Sequence, residues 1–546
     1  MSERNLVELH RRQAERLGRR PALRFKQYGI WHDITWEQYH AESLAAAAAL
    51  VECGVKPGDR VGIVAENSIA WPIADMAILA AGAVNVPPHA PLTARQIHYQ
   101  LADAEINFLF VSNRVQLDKI LSLRSQLPPL RGIVVFDGEA ARAADDLIPW
   151  PAFRQHGRRA LPRLANELAR REAALAPDDL ATIMYTSGTT GNPKGVMLTH
   201  GNLLSNVLAV SERAGQRPGD VVLSWLPYTH IYARTVDHYS MLATGVLLCV
   251  AESAETLVQD LADVQPTHMA SVPRFYEKVL ALAGPRRLRE LFGPRVDWLS
   301  SGGAPLPPAV ARAYLNAGVL VLQGYGLTET SPVISFNAKD AYKLETVGRP
   351  LPGVEVRIAD DGEVLTRGPH VMKGYWKNPD ATAEAIRDGW FHTGDLGELD
   401  ADGFLKITGR KKELLVLSNG KKVVPSFLEG LLQGDPCIDQ AVIYGEGRNF
   451  LTALIVPHWP NLRAALHHTT GDPSPESLCE LLRHRIDAAL SDVSPAEQVK
   501  KFVVVPQPFS VAADELTVSL KLRRNVVLTK YAQQLEALYT DGQPAG

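Results

Sequence analysis

Short apolar runs alternate with longer helical patterns over about the first 175 residues of the chain. The pattern predicts helices from Tyr39 to Cys53 and from Trp71 to Gly82, and strands from Asp59 to Val64 and from Ile106 to Val111. The Arg-, Ala- and Glu-rich stretch from Arg154 to Leu175 predicts a solvated helix. Because strands that alternate with helices form mostly parallel sheets covered on both faces, an α/β protein is predicted.

Three later strand-like runs end in polar, glycine-rich loops. The runs are Ile183-Met184, Trp298-Leu299 and Leu320-Val321-Leu322, and the loops that follow them are 186–195, 300–305 and 323–330. In open α/β sheets, ligands bind at the carboxyl ends of the strands. We therefore expect the three loops to line one crevice.

The first loop combines backbone N–H groups, hydroxyls and one mobile positive charge. It contains Thr186, Ser187, Gly188, Thr189, Thr190, Gly191 and Lys194. Such a loop after a strand can turn many N–H groups toward an anion, so the predicted guest is a polyphosphate, whereas a plain turn needs far fewer of these residues. The NTPase pattern G-x-x-x-x-G-K-[ST] does not fit, because Pro193 precedes the lysine and Gly195 follows it. Nor does a G-x-G-x-x-G open a helix.

Length and charge narrow the class of protein. A chain of 546 residues is too long for one hydrophobic core, so about two to four domains or subdomains are expected. The 57 basic and 60 acidic residues give a net charge of −3, which argues against nucleic acid as a partner.

Cysteine spacing and hydropathy indicate the compartment. The cysteines form no C-x-x-C pair, which favours neither a disulfide framework nor a zinc site and fits a reducing cytoplasm. The N-terminus lacks the apolar core of a signal peptide. The best apolar runs, Met76–Val86 and Met241–Ala251, are predicted to be buried core, since both are shorter than the roughly 20 residues that span a bilayer. A cytoplasmic protein is predicted, and any membrane contact would be peripheral.

A hairpin pattern lies near residue 400. Asp395–Leu399 and Phe404–Thr408 read as two strands joined by the turn 400–403, and their pairing brings Asp395 close to Arg410. The D-x-D-G turn lacks the remaining ligands of a calcium loop, so a plain turn is favoured. Taken alone, a carboxylate beside an arginine is most often a structural ion pair.

Together the motifs closely resemble the adenylate-forming enzymes, which include acyl- and aryl-CoA synthetases, luciferases and peptide-synthetase adenylation domains. The match runs from about residue 35 to residue 531, centred on Tyr185-Thr186-Ser187-Gly188-Thr189-Thr190-Gly191-Asn192-Pro193-Lys194-Gly195. The resemblance implies that a carboxylate is joined to the α-phosphate of ATP, that pyrophosphate leaves, and that the acyl group then passes to a thiol. ATP, Mg²⁺ and coenzyme A are the implied small molecules.

The resemblance also assigns nucleotide-binding roles. Gly303, Ala304 and Pro305 border the adenine, and Gly324-Tyr325-Gly326 places an aromatic ring near the base. Thr328 and Glu329 bind phosphate and magnesium, with Thr190 as a further metal ligand. Glu329 suits Mg²⁺, which takes hard oxygen ligands and few of them from protein. The alternatives are that Tyr325 is a core aromatic and Glu329 a helix N-terminal carboxylate.

The resemblance assigns further roles elsewhere in the chain. Asp395 and Arg410 bind the ribose, Lys412 is the hinge, and Gly420 approaches the pantetheine arm, with an ordinary glycine turn as the alternative. Lys521, in the run 515–524, is the catalytic lysine; its alternative is a solvated basic face that meets CoA phosphates or an anionic membrane. His230 lies beside the acyl carboxylate with Tyr232 as a pocket aromatic, although a core histidine is the commoner case.

The implied architecture has two parts. Residues 1–409 form an N-terminal AMP-binding and acyl-binding domain of two layered sheets plus a small β-barrel, and residues 410–546 form a mobile α+β domain. Lys194, Thr328, Glu329, His230 and Lys521 are the predicted catalytic residues.

Three segments point to long-chain fatty-acyl-CoA synthetases: 226–232, 271–278 and the run around Lys521. Two features depart from that branch. Only Val279 to Phe292 stand where a longer helical insertion is usual, and Ala233-Arg234 replaces the usual Glu-Arg. The open alternatives are an aryl or short-chain synthetase, a fatty-acyl-AMP ligase that loads an acyl carrier protein, and a nucleotide-binding scaffold without catalysis.

Overall fold

The computed structural model describes residues 3–186, 192–466, 474–510, 513–516 and 522–540. The chain divides into two compact units. Unit 1 comprises Met1–Arg357, Leu365–Thr393 and Leu399–Lys406, and unit 2 comprises Ile358–Val364, Gly394–Glu398 and Ile407–Gly546. The boundary at residue 409 and the mobility of the C-terminal domain stay predictions.

The strands are numbered in chain order. They are β1 (Pro21–Gln27), β2 (Ile30–Thr35), β3 (Arg60–Val64), β4 (Val84–Val86), β5 (Phe108–Val111), β6 (Ile133–Val135), β7 (Leu147–Pro149), β8 (Leu180–Thr186), β9 (Lys194–Thr199), β10 (Val221–Ser224), β11 (Leu247–Val250), β12 (His268–Ser271), β13 (Trp298–Ser301), β14 (Val321–Gly326), β15 (Val333–Phe336), β16 (Arg349–Pro350), β17 (Glu355–Ile358), β18 (Glu363–Arg367), β19 (Gly374–Tyr375), β20 (Ile386–Arg387), β21 (Trp390–Leu399), β22 (Leu405–Arg410), β23 (Leu415–Val416), β24 (Lys422–Val423), β25 (Ile438–Tyr444), β26 (Leu451–Pro457) and β27 (Val499–Val504).

The α-helices are numbered in the same way. They are α1 (Leu6–Leu17), α2 (Trp36–Glu52), α3 (Ala70–Ala80), α4 (Ala94–Asp103), α5 (Arg114–Leu123), α6 (Trp150–Ala174), α7 (His200–Ala214), α8 (Ile231–Ala233), α9 (Ser240–Thr244), α10 (Leu257–Val264), α11 (Pro273–Ala283), α12 (Leu288–Phe292), α13 (Pro308–Asn316), α14 (Pro379–Ala385), α15 (Pro425–Gln433), α16 (Trp459–Ala465), α17 (Pro475–Ala489), α18 (Arg524–Lys530) and α19 (Ala532–Thr540). A π-helical turn, Arg234–Tyr239, lies between α8 and α9.

Unit 1 is built on two large sheets, as the alternation of strands and helices predicted. One has eight strands in the order β19-β9-β8-β4-β3-β5-β6-β7, and the other has nine in the order β16-β15-β14-β13-β12-β10-β11-β1-β2. Their central strands pair in parallel, and antiparallel strands lie toward the edges. Parallel sheets bury both faces, which explains why central strands such as β5 are apolar and buried throughout.

Helix α6 contains the stretch that was expected to be a solvated helix, but only part of its surface is solvated. Trp150, Phe153 and Leu168 are buried. A Cβ at Gly157 would lie 1.8 Å from the carbonyl oxygen of Ala45, so α6 approaches the alanine-rich α2 as closely as glycine allows. The apolar residues Trp150, Phe153, Ala160 and Leu168 pack into the same core cluster as the alanines of α2. The charge run from Arg154 to Leu175 therefore did not reveal the buried face of this helix.

The remaining sheets are smaller. A five-stranded sheet with the order β17-β18-β21-β20, in which β22 pairs with β21, corresponds to the expected small barrel. In unit 2, β25, β26 and β27 form a three-stranded sheet whose core includes Leu428 of α15 and Leu482 of α17. This mixed arrangement is the predicted α+β organisation.

The two apolar runs flagged in the sequence are core. Met76 and Met241 are both almost fully buried. Among the described residues no helix is long and apolar enough to cross a membrane.

Candidate active site

The predicted phosphate loop joins two paired strands. Thr186 at the end of β8 is the register partner of Lys194 at the start of β9. Residues 187–191, which include the predicted Ser187, Gly188, Thr189, Thr190 and Gly191, lie outside the described residues. The antiparallel pairing places both ends of the loop side by side, at the carboxyl end of β8 and the amino end of β9.

Tyr375 connects the predicted phosphate lysine to the predicted magnesium ligand. Its hydroxyl donates to Glu329 Oε1 at 2.9 Å, and the Lys194 Nζ atom lies 5.0 Å from the centroid of its ring. Burial, together with the Glu329 carboxylate, raises the pKa of Tyr375, so the hydroxyl keeps its proton. One aromatic side chain therefore contacts a cation through its face and an anion through its hydroxyl.

Backbone pairing holds this arrangement. Glu329 lies in a 3₁₀ turn, Thr328–Thr330, directly after β14. The amide N–H of Met372 donates to the carbonyl oxygen of Glu329 at 2.8 Å, and Tyr375 in β19 pairs with Val196 in β9. The segment 372–375 thus joins the loop after β14 to the strand that begins with Lys194.

Sequence reasoning missed Tyr375. The available signal was Gly374-Tyr375-Trp376, a glycine followed by two aromatic residues. A Cβ at Gly374 would lie 2.7 Å from the Thr382 methyl carbon, and φ is +142°, so the backbone here requires glycine.

We expect Tyr375→Phe to lower the rate of adenylate formation about 10-fold, because a hydrogen bond to a charged group is typically worth ~1.5–3 kcal/mol. Tyr375→Leu should lower it further, since it also removes the ring that faces Lys194. Carboxylate-dependent ATP–pyrophosphate exchange measures both variants. Tyr539→Phe, which removes a hydroxyl that donates to the Phe450 carbonyl oxygen at 3.0 Å in unit 2, is the control. Equal rates for Tyr375→Phe and the control would contradict the assignment.

The predicted adenine-binding segments follow adjacent strands. Ser301 of β13 is the register partner of Gln323 of β14, and Gly303, Ala304 and Pro305 are exposed just beyond β13. The strand β14 ends in Gly324, Tyr325 and Gly326, each partly buried. A Cβ at Gly326 would lie 1.7 Å from the Pro332 carbonyl oxygen, so the turn admits only glycine.

His230 and Tyr232 lie beside the β13 loop. The His230 Nδ1 atom accepts a hydrogen bond from the Tyr232 backbone N–H at 3.2 Å, which leaves the proton of a neutral imidazole on Nε2. The hydroxyl oxygens of Tyr232 and Ser300 lie 2.9 Å apart. The Tyr232 ring packs on Gly302, where a Cβ would be 3.0 Å from Cζ. The structure therefore brings His230 and Tyr232 together with the second of the three predicted loops.

Asp237 is a buried carboxyl group near Tyr232 that sequence reasoning did not single out. It lies in the π-helical turn, and Ser224 Oγ donates to its Oδ2 at 2.7 Å. Burial raises its pKa to about 7, against the opposing effect of the Ser224 hydrogen bond.

The raised pKa of Asp237 makes the stability of the protein depend on pH. When a carboxyl has a higher pKa in the folded than in the unfolded state, the protein loses stability as pH rises between the two values. Ionisation of Asp237 should therefore lower the free energy of unfolding by about 2–3 kcal/mol between pH 5 and pH 8. Asp237→Asn retains an acceptor for Ser224 and should lack this loss. Urea unfolding at both pH values measures it, and parallel pH profiles of the two proteins would contradict the expectation.

Asp395 and Arg410 form the predicted pair within unit 2. The Arg410 Nε atom lies 2.9 Å from Asp395 Oδ1, with Asp395 buried and Arg410 half-exposed. Glu363, another residue that the sequence did not reveal, accepts from the Gly394 N–H at 2.9 Å and from Lys411 Nζ at 3.1 Å. The backbone that carries Asp395 is therefore fixed by a second carboxylate.

Two other predicted residues of unit 2, Lys412 and Gly420, are exposed. Lys412 is exposed in the 3₁₀ turn Lys411–Glu413. Gly420 has φ +78° with open space around its Cβ position, which fits a tight turn that glycine favours. Lys521 lies outside the described residues, although Leu516 and Leu522 on either side form an antiparallel bridge.

Similarity to known proteins decides the family. Residues 10–376 match the AMP-binding enzyme family, and residues 412–543 match the AMP-binding enzyme C-terminal domain. The chain belongs to the AMP-binding enzyme family. Membership confirms the prediction of an enzyme that activates a carboxylic acid with ATP.

Two curated relatives and one solved structure illustrate the range of AMP-binding enzymes that the chain resembles. The long-chain-fatty-acid–CoA ligase FadD15 of Mycobacterium bovis is 36% identical over 94% of this chain and 93% of its own length. The chloroplastic long-chain-fatty-acid–[acyl-carrier-protein] ligase AEE15 of Arabidopsis thaliana is 29% identical over 98% and 86%. ATP-bound MatB from Rhodopseudomonas palustris superimposes with a TM-score of 0.77 at 25% identity over 97% and 100%. These likenesses confirm the predicted fold class.

Proposed function

We propose that this AMP-binding enzyme converts a long-chain fatty acid, ATP and coenzyme A to acyl-CoA, AMP and pyrophosphate. The carboxylate oxygen attacks the α-phosphorus of ATP and pyrophosphate leaves, giving acyl-AMP. The CoA thiol then attacks the acyl carbon, loses its proton, and AMP leaves. The proposed long acyl chain of the substrate rests on the 36% identity to a ligase named for long-chain fatty acids and on the three segments noted in the sequence.

The observation that carries the proposal is the contact of Tyr375 with both Lys194 and Glu329. Lys194 faces the ring of Tyr375, and Glu329 accepts from its hydroxyl. The lysine can therefore bind phosphate oxygens, and the carboxylate can bind a counterion. Lys194 begins β9 of the eight-stranded sheet, and Glu329 lies in the turn that follows β14 of the nine-stranded sheet. In this proposal, Thr328 and the loop 186–191 add hydroxyl and N–H donors to the phosphates.

We assign Mg²⁺ to Glu329 and Thr190. Among the described residues no group of three or more His, Cys, Asp or Glu side chains is arranged to hold a metal ion. The orientation of Glu329 by the Tyr375 hydroxyl nevertheless fits a cation that takes few protein ligands and completes its shell with phosphate and water. Bound there, Mg²⁺ would neutralise charge on the polyphosphate.

The acid and the ribose have separate partners in the proposal. The Nε2–H of His230 donates to the acyl carboxylate, and Tyr232 closes the pocket against Gly302. Asp395 and Arg410 bind the ribose hydroxyls, while Gly303, Ala304, Pro305 and Tyr325 border the adenine. Lys521 stabilises charge at the reacting oxygens. Lys412 is the hinge of the C-terminal domain, and Gly420 lets the backbone approach the pantetheine arm of CoA closely.

A second acceptor is supported by one comparison, the 29% identity to an acyl-carrier-protein ligase. The two functions share the adenylate and differ in the thiol. Purified protein with palmitate, ATP and Mg²⁺ should form palmitoyl-CoA when CoA is supplied, measured by mass spectrometry. Acylation of a phosphopantetheinylated carrier protein without palmitoyl-CoA would favour the alternative, and adenylate formation with neither acceptor would overturn both.

A further inference from the structure

We infer that His89 is a positioning residue that holds His230 in the orientation required by the carboxylic acid substrate. The inference rests on the proposed function, in which His230 contacts the acid. It adds to the site a residue from the opposite sheet, at a position where the sequence shows only Pro87-Pro88-His89-Ala90-Pro91.

His89 contacts two consecutive residues of the loop that leads to α8. Its Nδ1 atom lies 2.6 Å from Thr229 Oγ1, and Thr229 is buried. Its ring stacks on the His230 ring with centroids 6.3 Å apart and an interplanar angle of 27°. One contact holds the side chain of Thr229, the residue before His230, and the other places a nearly parallel ring beside the His230 imidazole.

Asn67 also binds the loop 226–230, through two hydrogen bonds. The Asn67 Nδ2 atom donates to the carbonyl oxygen of Leu226 at 2.7 Å, and its Oδ1 accepts from the backbone N–H of Tyr228 at 2.9 Å. Asn67 and His89 follow β3 and β4 of the eight-stranded sheet, whereas the loop 226–230 follows β10 of the nine-stranded sheet. The loop that carries His230 is therefore held from the other sheet at two points.

The segment that presents His89 is itself fixed. Lys119 Nζ donates to the carbonyl oxygens of Ala90 at 2.7 Å and Leu92 at 2.9 Å. It also donates to Gln116 Oε1 at 3.0 Å on the same helix, α5. An ammonium group bound to two carbonyls just beyond His89 limits the positions that the imidazole can take.

The chemistry favours orientation over charge. Burial lowers the pKa of His89 to about 4, so the ring is neutral at pH 7 and supplies no cation to a carboxylate. His230 accepts the Tyr232 N–H on Nδ1, so its donor is Nε2–H. A flat, neutral neighbour with a hydrogen bond to Thr229 can set the direction of that donor without altering its proton affinity through charge.

Three substitutions separate the two contacts. His89→Phe retains the ring for the stack and removes the hydrogen bond to Thr229; His89→Asn retains a polar atom close to the Nδ1 position and removes the ring. His89→Ala removes both. Because misplacement of a reacting group by about 1 Å costs up to ~10²-fold in rate, we expect His89→Ala to lower kcat/KM for the acid at least about 10-fold in adenylate formation. KM for ATP should stay within about 2-fold, with intermediate losses in the other two variants.

A double substitution tests whether His89 acts through His230. In the His230→Ala background, adding His89→Ala should change kcat/KM for the acid less than about 2-fold, because the group to be positioned is gone. His268→Asn is the control, since His268 bonds to Asp220 Oδ2 at 3.2 Å at the amino-terminal end of β12. Losses that multiply in the double variant, or a loss that falls equally on acid and ATP, would overturn the inference.

A spectroscopic readout separates this inference from the proposed function. In protein with ¹⁵N-labelled imidazoles, His89→Ala should shift the His230 ring nitrogen resonances, assigned by their loss in His230→Asn, whereas His268→Asn should not. Unchanged His230 resonances in His89→Ala would overturn the positioning role even in an active enzyme. If the resonances shift but His230→Ala leaves kcat/KM for the acid unaltered, the positioning of His230 by His89 is supported and the proposed role of His230 is contradicted.

Discussion

Lys521→Ala should abolish adenylate formation while largely sparing transfer of a supplied acyl-AMP to CoA. An ammonium group that stabilises charge between carboxylate and α-phosphate is worth roughly 10²–10³ in the rate of that half-reaction and has no corresponding role in thioester formation. ATP–pyrophosphate exchange measures the first half-reaction. Release of AMP from synthetic acyl-AMP and CoA measures the second.

The matched control for this prediction is Lys500→Ala. Lys500 lies in β27 of unit 2 and its Nζ atom bonds to Gln498 Oε1 at 3.1 Å, so its loss should leave both half-reactions unchanged. Equal loss of both half-reactions in Lys521→Ala would show that the lysine supports the whole C-terminal domain and is not specific to adenylation.

Glu329→Gln should lower adenylate formation by about 10²-fold and raise the Mg²⁺ concentration needed for half-maximal rate, because a charged oxygen ligand is replaced by a neutral one. The Tyr375 hydroxyl keeps an acceptor in this variant, so the local packing should persist. Glu329→Asp, which keeps the charge on a shorter side chain, should fall between wild type and Glu329→Gln.

Titration of ATP–pyrophosphate exchange with MgCl₂ at fixed ATP tests this prediction. A fall in rate with an unaltered Mg²⁺ dependence would assign Glu329 a structural role, as a carboxylate that caps the turn after β14. An unaltered rate would remove it from the site.

Residues in continuous motifs were predictable because each motif follows a strand whose apolar run is visible in the sequence. The order β13 then β14, with loops at their carboxyl ends, follows from parallel pairing, and the Asp395–Arg410 contact follows from the hairpin register. In these cases local pattern and chain connectivity suffice to bring side chains together.

Residues brought together only by tertiary pairing were not predictable in the same way. Tyr375 lies about 180 residues beyond Lys194 and contacts it only because β19 pairs with β9. The strand β19 has two residues, so it has no periodicity that the sequence could reveal. His89 and Asn67 reach the loop 226–230 from a different sheet. At Gly157, helix α6 approaches the backbone of α2 more closely than any side chain would allow. Tertiary pairing, rather than local pattern, determines these contacts.

The most direct test of the account is carboxylate-dependent ATP–pyrophosphate exchange by the purified protein, across acids from acetate to long-chain fatty acids and several aryl acids. The account predicts exchange that peaks with long-chain fatty acids and is lost in Glu329→Gln. Exchange that peaks with aryl or short acids would keep the adenylation chemistry and contradict the substrate class. No exchange with any acid would contradict the central claim and favour a nucleotide-binding scaffold.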